Sequence, residues 1–399
     1  GVCARMVFLR NADNGALRSL NGLLLPEEEV GFQCRHGLGY SIMETGFNEL
    51  KTAFRIFVPR DLRCEIWSIH IFNQSSRTRT FQLFPFADTL IDGPFKHQWY
   101  YRSNGYYDPE LRTPVVRKAL RFADSRYAFN FMTASCPASG YATNERLFLG
   151  NGTWQCPDAV TQGDLGNTDC EMEKPVLALS IPLTLAQRQK ADIHIAVGSA
   201  LSRDEIALIR TRLFNENGVS AAFAATKKSI RSELSGTDFT TPDPTLDKFS
   251  SLWLKRQITL GTQWARVRHN GFRDLVQDIG AMAFWNPEQA LERFKRVLTK
   301  QYPSGYAPRT WINGRILDKD FSDNHVWVPF TAWNLYRETG DASILETGIP
   351  FNDGSTGTLY EHVKRAVDFL WNDRGMHGLG RMRSGDWNDC LNEVGSEGK

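Results

Sequence analysis

The chain has 399 residues, 47 basic and 45 acidic side chains and a formal net charge of +2. That length accommodates two sizeable domains, and the balanced charge gives no reason to expect nucleic acid or an anionic membrane as a partner. Seven scattered cysteines without CxxC spacing, and the lack of any HExxH or Cys/His cluster, argue against a disulfide framework or a metal site.

No run of about 18 apolar residues occurs, so no membrane span is expected. Residues 1–10 lack the apolar core of a secretory signal, which leaves a cytoplasmic protein as the default. Two Asn-x-Ser/Thr triplets, at Asn73 and Asn151, are of the kind that chance produces.

The first half reads as strands. Residues 50–58 are extended and end at Pro59; 64–72 follow, with Trp67, Ile69 and Ile71 on one face and Cys64, Ile66 and Ser68 on the other. After a polar turn at 73–76 come 79–84, then shorter runs at 127–132, 146–149, 176–181 and 193–197. Short strands separated by polar turns, with no helical pattern between them, predict an antiparallel β-sandwich over residues 1–200.

The pattern then changes period. Ser202-Arg203-Asp204-Glu205 has the form of a capping box. It opens a helical linker over 201–245, with helices at 203–214 and 219–235 and a Thr-, Asp- and Pro-rich stretch at 236–244. From 246 to 399 helices are expected at 246–260, 273–284, 287–301, 325–339 and 358–373. Asn286 and Pro287 mark one start and Gly340 one stop. Repeated amphipathic helices with long connections predict a helical toroid or solenoid. The chain stops in what reads as the middle of a loop, and residues 5–10 read as an internal strand. An incomplete helical domain, in a chain clipped at both ends, is the expectation.

Two segments stand out chemically. Gly385-Asp386-Trp387-Asn388-Asp389 sets two carboxylates around an indole, which suits gripping a sugar ring and protonating the oxygen that leaves it. Carboxylates and Trp are costly to bury together, so a cleft floor is their natural home; the same residues also make an ordinary polar turn. Upstream, Arg268-His269-Asn270-Gly271-Phe272-Arg273-Asp274 is followed by Gln277 and Asp278. Acids and Arg near a helix start also pair with the dipole and with each other as routine. His325 and Trp327 read either as lining of an acceptor side or as a helix start and core. Trp253, Trp264, Trp285 and Trp333 fall at helical spacing and read as packing residues, and Asp318 and Asp320 as a surface loop.

Taken together, Arg273-Asp274-x-x-Gln277-Asp278, Gly385-Asp386-Trp387-Asn388-Asp389 and Val394-Gly395-x-x-Gly398-Lys399 resemble glycoside hydrolase family 94, the cellobiose, cellodextrin and chitobiose phosphorylases and their relatives. Cys34-Arg35-His36-Gly37-Leu38-Gly39-Tyr40 and Phe57-Val58-Pro59 look like that family's sandwich. The resemblance implies a β-sandwich, a helical linker and an (α/α)6 barrel that is incomplete here. It also implies an inverting phosphorylase that uses inorganic phosphate as co-substrate and no further cofactor, commonly as a homodimer.

Carried onto this sequence, it makes Asp389 the general acid and sets Trp387 beside the reacting sugars. Arg268 and Asp274 would hold hydroxyls of the donor sugar, and Arg273 would position that sugar or the phosphate. Gln277 and Asp278 would orient these groups or contact the sugar. The implied reaction cleaves a β-linked glucosyl di- or oligosaccharide to α-glucose 1-phosphate.

Inverting hydrolysis takes two carboxylates, an acid and a base. An attacking phosphate is already anionic, so one acid with basic residues is the expected signature. Segment 301–311 falls where the family carries an acceptor-shaping loop but departs from the cellobiose and chitobiose form, leaving the acceptor open. Later family segments that contribute phosphate contacts are absent, so residues 1–399 alone are expected to be weak or inactive. An inverting hydrolase, a non-catalytic sugar-binding module and a cyclic-glucan synthase relative are the competing readings.

Overall fold

A computed structural model describes residues 5–22, 31–89, 103–119, 127–264, 270–312, 315–317, 320–385 and 388. The chain divides into two compact units, residues 1–230 and 231–399.

The first unit is built on two antiparallel sheets. One orders its strands Gly140–Asn144, Pro175–Leu185, Arg79–Asp88, Arg5–Asn11 and Leu17–Ser19. The other runs Cys170–Glu171, Ser103–Asp108, Thr113–Ala119, Tyr127–Ala134, Lys190–Ala200, Cys64–Asn73, Leu50–Phe57, Tyr40–Phe47 and Gln33–Gly37. Alternation decides what each strand buries. From the larger sheet Trp67, Ile69, Ile71 and Ile195 enter the shared core, where they join Leu9, Leu83 and Ile181 of the smaller one. Register supports this, with Ile69 opposite both Phe54 and Ile193.

The outer faces are partly covered as well. Phe84 and Phe86 point the other way, into a second core with Phe148 of α1 (Glu145–Leu149) and Val160 of α2 (Asp158–Gln162). Cys64 and Ile66 pack with Ile206, Ile209 and Leu213 of α3 (Arg203–Leu213) and Val219 of α4 (Gly218–Leu234). Double coverage explains why several strands read as continuous apolar runs. The expected strand at 146–149 is instead α1: Asn144 caps it by accepting from the Leu147 N–H, and only Phe148 of its apolar run is buried. The box at Ser202 forms with a shift. Ser202 accepts from the Glu205 N–H at 3.2 Å, while Glu205 reaches back to the Leu201 N–H at 2.8 Å.

The second unit is helical. Residues 236–243 are fastened rather than loose: the buried Lys255 ammonium donates to the carbonyls of Leu234 (3.2 Å) and Thr237, and Asp247 takes both the N–H and the hydroxyl of Thr241 at 2.8 Å. A continuous helical stretch follows as α5 (Pro244–Lys248), a π-segment (Phe249–Leu254) and α6 (Lys255–Trp264).

Next come α7 (Phe272–Met282), α8 (Pro287–Leu298), α9 (Trp327–Thr339) and α10 (Leu359–Asn372). Asn286 caps α8 with Pro287 at its first turn, Gly340 caps the end of α9, and a full capping box of Thr358 and Glu361 opens α10. Phe272, Val276 and Ile279 of α7 share one core with Phe294 of α8, Val328 and Leu335 of α9, and Leu359 of α10. Of the Trp residues expected to pack, Trp285 lies against this core, but Trp333 is 55% exposed, which overturns the packing reading for it. No helix among the described residues is long and apolar enough to cross a membrane.

Candidate active site

The first turn of α7 carries the upstream motif. Gly271 is its N-cap in extended conformation, and buried Phe272 anchors the turn edge-on against Trp311 at 6.5 Å. Trp311 lies in a small antiparallel sheet in which Asn270–Gly271, Thr310–Ile312 and Arg315–Leu317 pair in that order. The entry to the helix is thereby fixed by both a sheet and a core contact. Asp274 folds back over Gly271, so close that a Cβ there would sit 2.2 Å from its Oδ2. Glycine leaves room for that approach, and the carboxylate lies where the helix dipole favours negative charge.

Arg273 lies between two acids. Its Nη1 donates to Asp323 Oδ2 at 2.9 Å, and its Nη2 approaches Asp274 Oδ1 at 3.6 Å. Their side chains retain 24%, 14% and 32% of their exposure for Arg273, Asp323 and Asp274. Burial works against the Arg273 cation, but the hydrogen bond and charge of Asp323, then Asp274, outweigh it and raise its pKa. One turn on, Asp278 is buried against α6. Gly261 supplies the room, since a Cβ on it would meet Asp278 Oδ2 at 1.9 Å. Gln277 is half-buried on the same turn.

Asp323 ends a short segment that crosses the approach to the second motif. Ser322 donates its N–H to the Gly385 carbonyl at 3.0 Å, and its hydroxyl reaches the same oxygen at 3.3 Å. Ser384 returns an N–H to the Asp320 carbonyl at 2.9 Å, and Phe321 bridges Arg383 and Gly385. Arg383 locks the crossing from the side, donating at 2.5 Å both to Asp373 and to Asp320. Consecutive residues 322 and 323 thus touch both motifs, Gly385 through the backbone and Arg273 through the carboxylate.

Among the described residues this brings together Arg273, Asp274 and the leading glycine of the downstream motif, with Asp278 one turn behind. Arg268, His269, Asp386, Trp387 and Asp389 lie outside the described residues. Asp320, expected in a surface loop, is half-exposed but carries the Arg383 ion pair; its companion Asp318 lies outside the described residues.

Asp323, Asp320 and Arg383 were not legible as a set, because their partners lie 50 and 63 residues away. The only sequence signal was an Asp-Asn-His run before a Trp-led helix. His325 sits in that run, in a 3-10 turn over Asn324–Val326, fully buried against Phe369 (4.7 Å) and Tyr306 (5.9 Å). Neither ring nitrogen has a hydrogen-bond partner among the described residues. Burial first, then the Arg383 charge, push its pKa down to about 4 and keep the ring neutral.

Segment 301–311 is a braced turn. Buried Gln301 donates to the carbonyls of Gly305 (3.0 Å) and His362 (3.2 Å) and accepts from His362 Nδ1 at 2.6 Å, while Arg365 holds the Pro303 carbonyl at 2.9 Å.

Both units match family models. Residues 2–215 match the glycosyl hydrolase 94 supersandwich domain, and residues 231–399 match the catalytic domain of the glycosyl hydrolase 94 superfamily. The chain belongs to glycosyl hydrolase family 94.

Over 99% of its length it is 29% identical to the solabiose phosphorylase of Paenibacillus borealis and covers 51% of that protein. It is 27% identical, again over 99% of its length, to the 3-O-β-D-glucopyranosyl-β-D-glucuronide phosphorylase of the same organism, covering 52% of it. The chain thus spans about half the length of the curated relatives it matches. A bacterial glucoamylase solved with acarbose aligns at TM-score 0.57 and 11% identity, over 94% of this chain and 54% of that one. That likeness carries the fold alone. The expected class, an antiparallel sandwich followed by a helical domain of the (α/α)6 type, holds.

Proposed function

We propose that the protein carrying this chain is an inverting glycoside phosphorylase. It would cleave a β-linked glucosyl di- or oligosaccharide with inorganic phosphate to give α-glucose 1-phosphate. The observation that carries this reading is the crossing of 320–323 with 383–385. It ties a charged arginine, with a dipole-placed carboxylate beside it, through 322–323 to Gly385, the residue that precedes Asp386-Trp387-Asn388-Asp389 in sequence. Membership in family 94 supports it. So do the two Paenibacillus relatives, both phosphorylases, one of them of a 3-O-β-D-glucopyranosyl-β-D-glucuronide.

In this reading a phosphate oxygen attacks the anomeric carbon from the face opposite the glycosidic bond. That bond breaks, and its oxygen leaves as a hydroxyl with the proton supplied by Asp389. Proton donation of this kind is worth roughly 10²–10⁴ in rate, provided the acid stays protonated near working pH. The charge of Asp386 or of the bound phosphate would raise the Asp389 pKa to that end. Phosphate arrives as an anion, so no second carboxylate is needed as base. Arg268 and Asp274 would hold hydroxyls of the donor sugar, Arg273 the sugar or the phosphate, and Trp387 a sugar face. Asp278 would brace the turn that carries them.

Incubating the full-length protein with phosphate and a panel of β-glucosides tests the proposal. α-Glucose 1-phosphate as the product supports it. Free glucose with no phosphate ester points to an inverting hydrolase, and oligosaccharide binding without turnover to a sugar-binding module; either result overturns it.

A further inference from the structure

The Arg273–Asp323 pair contains more than an ion pair needs. Asp323 lies 50 residues from Arg273, on a different element, with its side chain 14% exposed. It spends one oxygen on one guanidinium nitrogen, and its other oxygen, Oδ1, is buried without a hydrogen-bond partner among the described residues. With Asp274 Oδ1 facing Nη2 at 3.6 Å, the guanidinium is held from two sides by carboxylates on different elements. The backbone supporting Asp323 is pinned at the next residue, since Ser322 bonds twice to the Gly385 carbonyl. The direction of Arg273 and the base of the downstream motif therefore share one two-residue support.

We propose that Asp323 is a positioning residue that aims Arg273 at the donor sugar or phosphate and ties that aim to Gly385, the first residue of the downstream motif. The inference rests on the phosphorylase reading and adds to it a residue outside both sequence motifs. An unbraced Arg side chain gives up rotamer entropy when a ligand fixes it. Asp323 removes much of that cost in advance and supplies the counter-charge that a half-buried cation requires.

A double-mutant cycle with Arg273→Ala and Asp323→Ala in the full-length protein tests this. Two measurements are made: affinity for α-glucose 1-phosphate by calorimetry, and phosphate release with sugar acceptors. Asp323→Ala is expected to weaken α-glucose 1-phosphate binding roughly 10- to 100-fold, the cost of losing a charged hydrogen-bond partner. The KM for the acceptor should stay unchanged, which a general loss of structure would not allow. The double variant should lose no more than Arg273→Ala alone, because Asp323 acts through Arg273. Losses that multiply, or an acceptor KM that rises in step, overturn the inference.

Should an alanine variant fail to fold, Asp323→Asn and Arg273→Lys carry the same cycle. Wild-type protein that binds α-glucose 1-phosphate but releases no phosphate with any acceptor sinks the phosphorylase reading, and the cycle is then read from binding alone. Wild-type protein that releases phosphate yet shows independent losses sinks only the role of Asp323. Wild-type protein that does not bind α-glucose 1-phosphate overturns both.

Discussion

The two units place their buried polar groups differently. In the sandwich a buried neutral amide closes turns: Asn73 at full burial donates to the carbonyl of Arg77 and, across two strands, to those of Leu185 and Ala186, and accepts from Ser75. These bonds satisfy backbone that would otherwise be orphaned. In the helical unit charged groups meet one another instead: Arg273 with Asp323 at the start of α7, and Arg383 with Asp320 and Asp373 beside Gly385. The first pattern makes a scaffold. The second concentrates charge at one crossing, at a cost in desolvation that a scaffold alone does not require.

Trp67→Ala gives the largest expected effect and probes the scaffold side. Trp67 is fully buried and packs edge-on against Phe54 at 5.8 Å. Its loss should cost about 3–5 kcal/mol by denaturant titration; a cost below about 1 kcal/mol would show that the shared core does not hold the sandwich.

His325 sharpens the other side. Its folded pKa of about 4 lies below the ordinary 6.5, so the unfolded chain takes up the proton first. Stability is then fully present above pH 6.5 and falls as pH drops through the window towards 4, by roughly 3 kcal/mol at full effect. Denaturation midpoints at pH 7 and 5 should differ less in His325→Gln than in wild type. An equal dependence in both would mean that the ring is not held neutral.

Gly261→Ala should cost about 1–3 kcal/mol, since its methyl would land 1.9 Å from Asp278 Oδ2 and force the carboxylate or α6 to move. Weaker sugar binding should accompany the loss; unchanged stability and binding would show that the α6–α7 contact yields freely.

The smallest effect is expected at Thr358→Ala, which removes half of the capping box on α10 and should cost about 1 kcal/mol. A loss of 3 kcal/mol or more in thermal unfolding would mean that Thr358 has a role beyond the cap.

How much the sequence revealed follows from the range of each interaction. Alternation placed Trp67, Ile69 and Ile71 in one core and Cys64 and Ile66 in another, because a strand's faces are set by neighbours in sequence. Local caps located the starts of α3 and α8. Residues 146–149 failed because a three-residue apolar run, Leu147 to Leu149, has no period to read, and the deciding cap lies just outside it at Asn144. Strands such as Tyr40–Phe47 and Ser103–Asp108, rich in Gly, Ser and Tyr, carried too little alternation to register. Within the site, the pairing of Arg273 with Asp274 was readable on one helical turn. Asp323 was not, since only the fold brings it across 50 residues. Trp333 misled because helical spacing shows which face a residue occupies and not what covers that face.

Phosphate release from α-glucose 1-phosphate in the presence of sugar acceptors, compared between wild-type protein and Asp389→Asn, is the most direct test of the central claim. The account predicts release by the wild type and a loss of roughly 10²-fold or more in the variant, with α-glucose 1-phosphate binding retained. Release at the wild-type rate by Asp389→Asn would contradict it.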